Sequence, residues 1–256
     1  MTPYYTDSHT TLYLGDSREV LPALDLTADA VITDPPYGET SLAWDRWPAG
    51  WLEVAAATAP ALWCFGSWRV FGPRWHEFTE AGWKFAQDVV WEKHNGSGFA
   101  SDRFKRVHET VTHWYQGAWA DVHHAVPRIA GGEPRRGVLR AGRDPKHHGA
   151  QRASVDVRDG TILVRSVLYA RSMHGSAVHP TEKPVKGLLE HLVAYSCPLG
   201  GLVLDPFAGS GSTLVAARES GRRSIGVEAS EEYAELAAKR LSEIDAQPAL
   251  PFEVTA

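Results

Sequence analysis

Cysteine is scarce in this chain. Only Cys64 and Cys197 occur in 256 residues, both in apolar surroundings and neither in Cys-x-x-Cys spacing. That excludes a disulfide framework and a thiolate zinc site, and it makes a reducing cytoplasm the expected compartment. Long apolar runs are lacking too. None approaches the roughly 20 residues that a membrane span requires, so no membrane partner is expected. The opening MTPYYTDSHT has no basic-then-apolar leader pattern. Internal repeats and low-complexity tracts are absent. The histidine pairs His123-His124 and His147-His148 are adjacent in sequence, which is poor geometry for one ion; they read as solvated or phosphate-contacting residues, and no metal is expected.

Basic charge is also in deficit, with a net charge of −5 that by itself argues against a polyanionic partner. Its distribution argues the other way. Residues 101–175 hold 13 Lys and Arg against 7 Asp and Glu, and the rest of the chain 13 against 24. Seven of the 12 histidines lie in the same window. A basic segment on an acidic body is the footprint of a phosphate backbone, or else a solvated loop.

Hydrophobic periodicity predicts alternating strands and helices. Strands are expected at 11–17, 29–34, 61–67 and in KFAQDVVWEK and ETVTHWYQG, the last preceded by the basic RFKR. Helices are expected through REVLPAL, through WPAGWLEVAAATAP and from about Pro73 to Glu80. From 118 to 175 no period is sustained, which reads as a long irregular insertion. Regularity returns with a helix in VKGLLEHLVAYSC, a strand in GLVLD, a helix in GSTLVAARESG, a strand in RSIGVEA and a helix in SEEYAELAAKRLSEI. The pattern implies an α/β protein with a Rossmann-like, doubly wound, mainly parallel sheet. Its expected parts are residues 1–117, the basic insertion 118–175, residues 176–245 and a loose tail 246–256. Trp63 and Trp91 lie in strand-like runs and read as core; Trp44 and Trp47 border the first motif as pocket wall or flap.

Two motifs carry chemistry. In VITDPPYGET an apolar strand runs into Asp34, and Pro35 and Pro36 stiffen the backbone ahead of Tyr37. The stretch holds a carboxylate and a carbonyl at a set spacing beside an aromatic face. In LVLDPFAGSGST a strand ends in Asp205, a glycine turn follows, and a helix begins near Ser212. Gly209 and Gly211 let the backbone approach a ligand, Ser212 and Thr213 open the helix, and Glu228 ends a strand about 20 residues on, where acids hold ribose hydroxyls. A phosphate-binding loop needs a lysine that is missing here. A dinucleotide fingerprint needs a third glycine where Leu214 stands. The Asp205, Phe207, Gly209, Gly211 pattern fits an S-adenosylmethionine turn.

Asp34-Pro35-Pro36-Tyr37 with Asp205-Pro206-Phe207-Ala208-Gly209-Ser210-Gly211, and with HPTEKP just upstream of the second motif, resembles the amino-group DNA methyltransferases. The order, with the tetrapeptide first and the glycine turn last, is similar to their β group. The resemblance implies a methyltransferase fold whose insertion is the target-recognition region. It implies S-adenosylmethionine as cofactor, held by Asp205, Phe207, Gly209, Gly211, Ser212, Thr213 and Glu228. It also implies Asp16 on the adenine amino group and Thr181 and Lys183 near the methionine carboxylate. Asp16 has another reading as a turn former or helix cap, and Lys183 as a surface lysine. Double-stranded DNA is the implied partner, with Arg135, Arg136, Arg140, Arg143 and Lys146 as phosphate contacts. A homodimer and a restriction endonuclease partner are compatible with the group.

The implied reaction is methyl transfer to an exocyclic amino nitrogen of a base turned out of the duplex. Asp34 before the prolines, rather than Ser, favours adenine N6; cytosine N4 is the alternative. A catalytically silent DNA-binding relative would not need both motifs. Methylation of RNA or of a protein glutamine goes with Asn before the prolines and the opposite motif order.

Overall fold

The computed structural model describes residues 1–39, 45–97, 101–130, 160–172 and 182–245. These fall into two units, one of Met1–Ala125 with Ser166–Ala256 and one of Val126–Arg165. In chain order the strands are β1 (Tyr5–Thr6), β2 (Thr10–Leu14), β3 (Ala30–Thr33), β4 (Ala61–Gly66), β5 (Lys84–Ser97), β6 (Arg106–Tyr115), β7 (Arg128–Ala130), β8 (Thr161–Leu163), β9 (Val167–Tyr169), β10 (Leu202–Asp205) and β11 (Arg223–Glu228). The α-helices are α1 (Ser17–Leu24), α2 (Trp51–Thr58), α3 (Trp68–Glu80), α4 (Glu190–Ser196), α5 (Ser212–Glu219) and α6 (Glu231–Asp245). The smaller unit contributes the antiparallel pair β7–β8.

In the larger unit nine strands form one sheet in the order β1-β2-β11-β10-β3-β4-β6-β5-β9. The run β2-β11-β10-β3-β4 is parallel throughout. The expected Rossmann-like architecture is present, with β6 and β5 added as an antiparallel hairpin. Every residue of AVIT in β3 and of ALWCFG in β4 is buried. Such continuous apolar runs suit central parallel strands covered on both faces. One cover is a cluster under α1, α2 and α3 that includes Leu21, Trp51, Phe71, Phe78 and Trp114; another joins Leu12, Leu214, Ala234, Ala237 and Leu241. Trp63 and Trp91 are core, and each buried indole finds an acceptor, Ser196 Oγ at 2.7 Å and the Ala170 carbonyl at 2.9 Å.

Four local readings shift. α3 starts at Trp68 rather than Pro73, because burial of Val70 and Phe71 extends it upstream and leaves the proline inside. The expected helix from Val185 becomes regular only at Glu190. Gly187 has φ 76°, and its amide is capped by Glu190 Oε1 at 2.7 Å. The supposedly irregular 118–175 contains β9, which pairs with β5 at Val90↔Val167. Residues 118–125 and 166–172 belong to the larger unit, so the separate unit is narrower than composition suggested. The tail from 246 lies outside the described residues.

β3 connects onward to β4 on one side, and β10 to β11 on the other. The seam between β10 and β3 is therefore where strand order reverses, the place where open α/β sheets form a crevice at their carboxyl ends.

Candidate active site

Each of four neighbouring strands delivers a carboxylate to that carboxyl edge. Asp16 follows β2, Glu228 ends β11, Asp205 ends β10 and Asp34 follows β3, in the spatial order of the sheet. At about 4.8 Å between strands the row spans roughly 14 Å. All four line a single cavity of about 370 Å³. In sequence these residues are up to 212 positions apart; parallel register brings them together.

Asp16 is both cap and wall. Its Oδ1 accepts the Arg18 amide of α1 at 2.9 Å, and its carboxylate pairs with the Arg18 guanidinium at 2.5 Å. Arg18, then its own backbone hydrogen bond, holds the Asp16 carboxyl below its ordinary value despite partial desolvation. Glu228 accepts the Gly209 amide at 2.7 Å and the Ser230 amide at 2.8 Å, one on each oxygen, and burial raises its pKa. Asp205 accepts the Thr33 hydroxyl at 2.6 Å and the Phe207 amide at 3.1 Å; burial dominates and pushes it up to about 6.

Gly211 caps α5 at φ 79°, and a Cβ there would lie 3.2 Å from that of Ala237 on α6. The positive φ favours glycine, and any side chain would have to push Ala237 aside. Ser210, Ser212 and Thr213 line the cavity at the start of α5. Phe207 turns its ring edge-on to Trp51 at 5.4 Å, tying the turn to the core.

On the β3 side Asp34 is clamped from two directions. The Tyr37 hydroxyl donates to its Oδ1 and the Lys183 ammonium to its Oδ2. Burial raises the Asp34 pKa, with Lys183 opposing. Burial and then the charges of Asp34 and Glu109 hold the Tyr37 phenol well above its ordinary value, so it stays a donor. Lys183 lies 5.3 Å over the Phe65 ring. Burial pulls its pKa down, but Asp34 and Glu109 outweigh that and keep the ammonium charged.

A family model for DNA methylases, the N6/N4 type, matches residues 28–239. The chain belongs to this family. The type II methyltransferase M2.DpnII of Streptococcus pneumoniae is 27% identical to this methylase over 93% of this chain and 92% of that one. The crystal structure of the M1.HpyAVI–SAM complex is similar in fold, with TM-score 0.63 and 23% identity, covering 90% of this chain and 99% of that one. The PvuII DNA methyltransferase (cytosine-N4-specific) is similar too, with TM-score 0.64 and 18% identity over 99% and 90% of the two chains. The methylase acts on DNA at an exocyclic amino group, of the adenine-N6/cytosine-N4 type, and its cofactor is S-adenosylmethionine.

The cavity fits that cofactor. Its volume lies within the range of small-molecule sites. Acceptors stand along its length for an amino group, ribose hydroxyls and a cationic centre, and the glycine turn leaves room for close backbone approach.

The sequence-derived candidates divide as follows. Asp16, Asp34, Pro36, Lys183, Asp205, Phe207, Gly209, Ser212, Thr213 and Glu228 line the same cavity. Lys183, expected near the methionine carboxylate, has its ammonium on Asp34. The Trp47 indole donates to Glu77 at 2.8 Å and its ring packs on Trp51 and Phe78, between the cavity-lining Arg46 and Pro48. His124 stacks on Trp119 at 4.4 Å. Thr181, Trp44, the His147-His148 pair, Arg135, Arg136, Arg140, Arg143 and Lys146 lie outside the described residues.

Three residues went unread. Glu109 and Lys93 form a half-buried pair across β6 and β5, next to Lys183. Arg240 of α6 joins Glu182 at 3.0 Å to the Ser212 hydroxyl at 3.0 Å, linking HPTEKP to the glycine turn. The signal was present as charged residues in apolar runs, but their partners depend on register.

Proposed function

We propose that this methylase transfers its methyl group to N6 of adenine, in a base turned out of duplex DNA. The observation that carries the reading is Asp34, ahead of Pro35-Pro36-Tyr37, in the same cavity as Asp205 and Glu228. An exocyclic amino nitrogen is a weak nucleophile because its lone pair is delocalised into the ring. Asp34 accepts one amino hydrogen and the Pro35 carbonyl the other, favouring a pyramidal nitrogen whose lone pair is aimed along the transfer line. The bound cofactor supplies an electrophilic methyl group. The prolines keep the two acceptors in place, and the Tyr37 ring stacks on the base. Asp16, Glu228 and Asp205 hold the adenine, ribose and methionine regions of the cofactor in turn, with Thr181 and Lys183 on the methionine side. In-line attack by the amino nitrogen, perpendicular to the base plane, needs the base outside the helical stack.

The insertion, with Arg135, Arg136, Arg140, Arg143 and Lys146, holds the DNA backbone and reads the target. Beside the cavity, the β5–β6 hairpin carries Arg103, Phe104, Lys105 and Arg106, with Phe104 fully exposed. A second copy of the chain and a restriction endonuclease are the partners to seek. Cytosine N4 is the second reading, favoured by the PvuII likeness.

The test is label transfer from methyl-tritiated S-adenosylmethionine to unmethylated plasmid DNA, with digestion to nucleosides. Label in N6-methyladenosine is expected, and label confined to N4-methylcytosine would overturn the base assignment. Asp34→Ala is expected to lower transfer by at least 10³-fold while cofactor affinity stays within about threefold.

A further inference from the structure

Lys183 is buried, at 7% exposure, and stands between two carboxylates from different strands. It is on Asp34 Oδ2, and its Nζ is 3.6 Å from Glu109 Oε2. Glu109 in turn is held from the far side, where Lys93 pairs with Oε1. Glu109 Oε2 is buried and has no hydrogen-bond partner among the described residues. The cation next to that oxygen is Lys183 itself, held just short of hydrogen-bond contact, so the acceptor is incompletely used in this state. Burial pushes the Glu109 pKa up, but Lys183 and Lys93 outweigh it and keep the carboxylate charged.

Asp34 presents the complementary problem. Both its oxygens are engaged by the protein, one by the Tyr37 hydroxyl and one by Lys183. A substrate amino group that is to donate to Asp34 must share an oxygen that already holds a donor, and a buried ammonium on Oδ2 weakens that oxygen as an acceptor. Expelling that ammonium without a counter-charge would be strongly unfavourable. A movement of roughly 1 Å carries it from 3.6 Å to the ordinary charge-assisted distance from Glu109 Oε2. The second seat is already built, charged and fixed.

We propose that Glu109 is a positioning residue that takes the Lys183 ammonium from Asp34 when the base enters, freeing Asp34 Oδ2 to accept the amino hydrogen. This rests on the reading of Asp34 as the acceptor. Lys93 keeps the receiving carboxylate oriented, and the Phe65 ring face lines the ammonium's position in the resting state. Without Glu109 the ammonium stays on Asp34 and transfer slows; without Lys183 there is nothing to move, and Glu109 loses its influence.

The experiment is a double-mutant cycle in single-turnover label transfer, on unmethylated plasmid DNA at saturating cofactor. Glu109→Gln is expected to lower the transfer rate at least tenfold with cofactor affinity unchanged, and Glu109→Asp to restore most of it. In a Lys183→Met background, followed over hours, Glu109→Gln is expected to change the rate less than twofold. An equal loss in both backgrounds would overturn the proposal, as would a Glu109→Gln rate equal to wild type. Melting temperatures of all variants separate a folding defect from a kinetic one, and an unfolded Glu109→Gln leaves Lys93→Met, which removes the ammonium that orients Glu109, to decide by the same cycle. If Asp34→Ala transfers as fast as wild type, the assignment of Asp34 itself falls, and the relay with it.

Discussion

At the scale of single residues, the acidity of Asp205 is the most direct handle on the site. Its carboxyl is pushed up to about 6 by burial from an ordinary value of 3.8. Between those values the folded protein holds more protons than the unfolded chain. This group therefore lowers stability as pH rises from about 4 to about 6, and its contribution is level above that. Cofactor binding that uses the ionised carboxylate has the opposite dependence. Affinity should be level above about pH 7 and weaken by up to tenfold per unit below 6. Titration calorimetry with S-adenosylmethionine across pH 5–8 measures this, with Asp205→Asn expected to bind weakly and with no such step. A step that persists in the variant would assign the proton elsewhere. Glu228 lies in the same cavity and is also raised by burial, so Glu228→Gln is the needed companion.

At the scale of elements, the β5–β6 hairpin is, with the two-residue β1, what sets this sheet apart from a purely parallel one. The last β4–β6 pair is Gly66↔Thr110, so Arg106–Glu109 run on past the carboxyl edge. Four residues at about 3.3 Å each carry the strand roughly 13 Å beyond the edge that holds Asp34. Its base is the half-buried Glu109–Lys93 pair; its tip bears Arg103 and Lys105 around the exposed Phe104. The Arg103–Asp102 pair at the tip is exposed and adds little to stability. Replacing Arg103 and Lys105 together by Ala should weaken binding to duplex DNA of any sequence. It should also reduce the slope of log affinity against log salt by about 0.9 for each phosphate no longer neutralised, with the melting temperature unchanged. Fluorescence polarisation over 50–200 mM salt reads both. An unaltered slope would take the hairpin off the DNA path.

At the scale of the whole molecule, acid stability turns on a histidine far from the cavity in sequence. His113 on β6 is completely buried, stacked on Trp63 at 4.3 Å and edge-on to Tyr195 at 5.3 Å, with neither ring nitrogen hydrogen-bonded among the described residues. Burial, and then His124, lowers its pKa to about 3. The unfolded chain binds this proton near pH 6.5, so stability from this group is complete above that and is lost as pH falls toward 3. The loss is of the order of 4–5 kcal/mol over the full window. His113→Phe keeps the aromatic stack and removes the proton. Urea midpoints at pH 7.5 and 5.0 should differ less for the variant than for the parent protein, and equal differences would show that another group controls acid unfolding.

Local chemistry was legible in the amino-acid order, and spatial chemistry was not. Asp34-Pro35-Pro36-Tyr37 and the turn from Asp205 to Gly211 announce themselves because proline and glycine restrict or free the backbone whatever surrounds them. The parallel strands were readable because runs such as AVIT and ALWCFG bury both faces and leave no polar alternation. Helix starts were read less well at Pro73 and Val185, where burial of Phe71 and the positive φ of Gly187 overrode local propensity. Glu109, Lys93 and Arg240 look like ordinary surface charges in a one-dimensional reading, and nothing contiguous with Lys183 announces its ion pair with Asp34. Only the tertiary fold brings Glu109 beside Lys183 and Lys183 beside Asp34, across separations of 74 and 149 residues. The sequence by itself determined the fold class and singled out the two motifs proposed here as cofactor turn and acceptor tetrapeptide, because each motif is a run of contiguous residues. The order of the four carboxylates along the cleft and the charge shared between Asp34 and Glu109 were decided by tertiary structure, because electrostatic partners are chosen by distance through space.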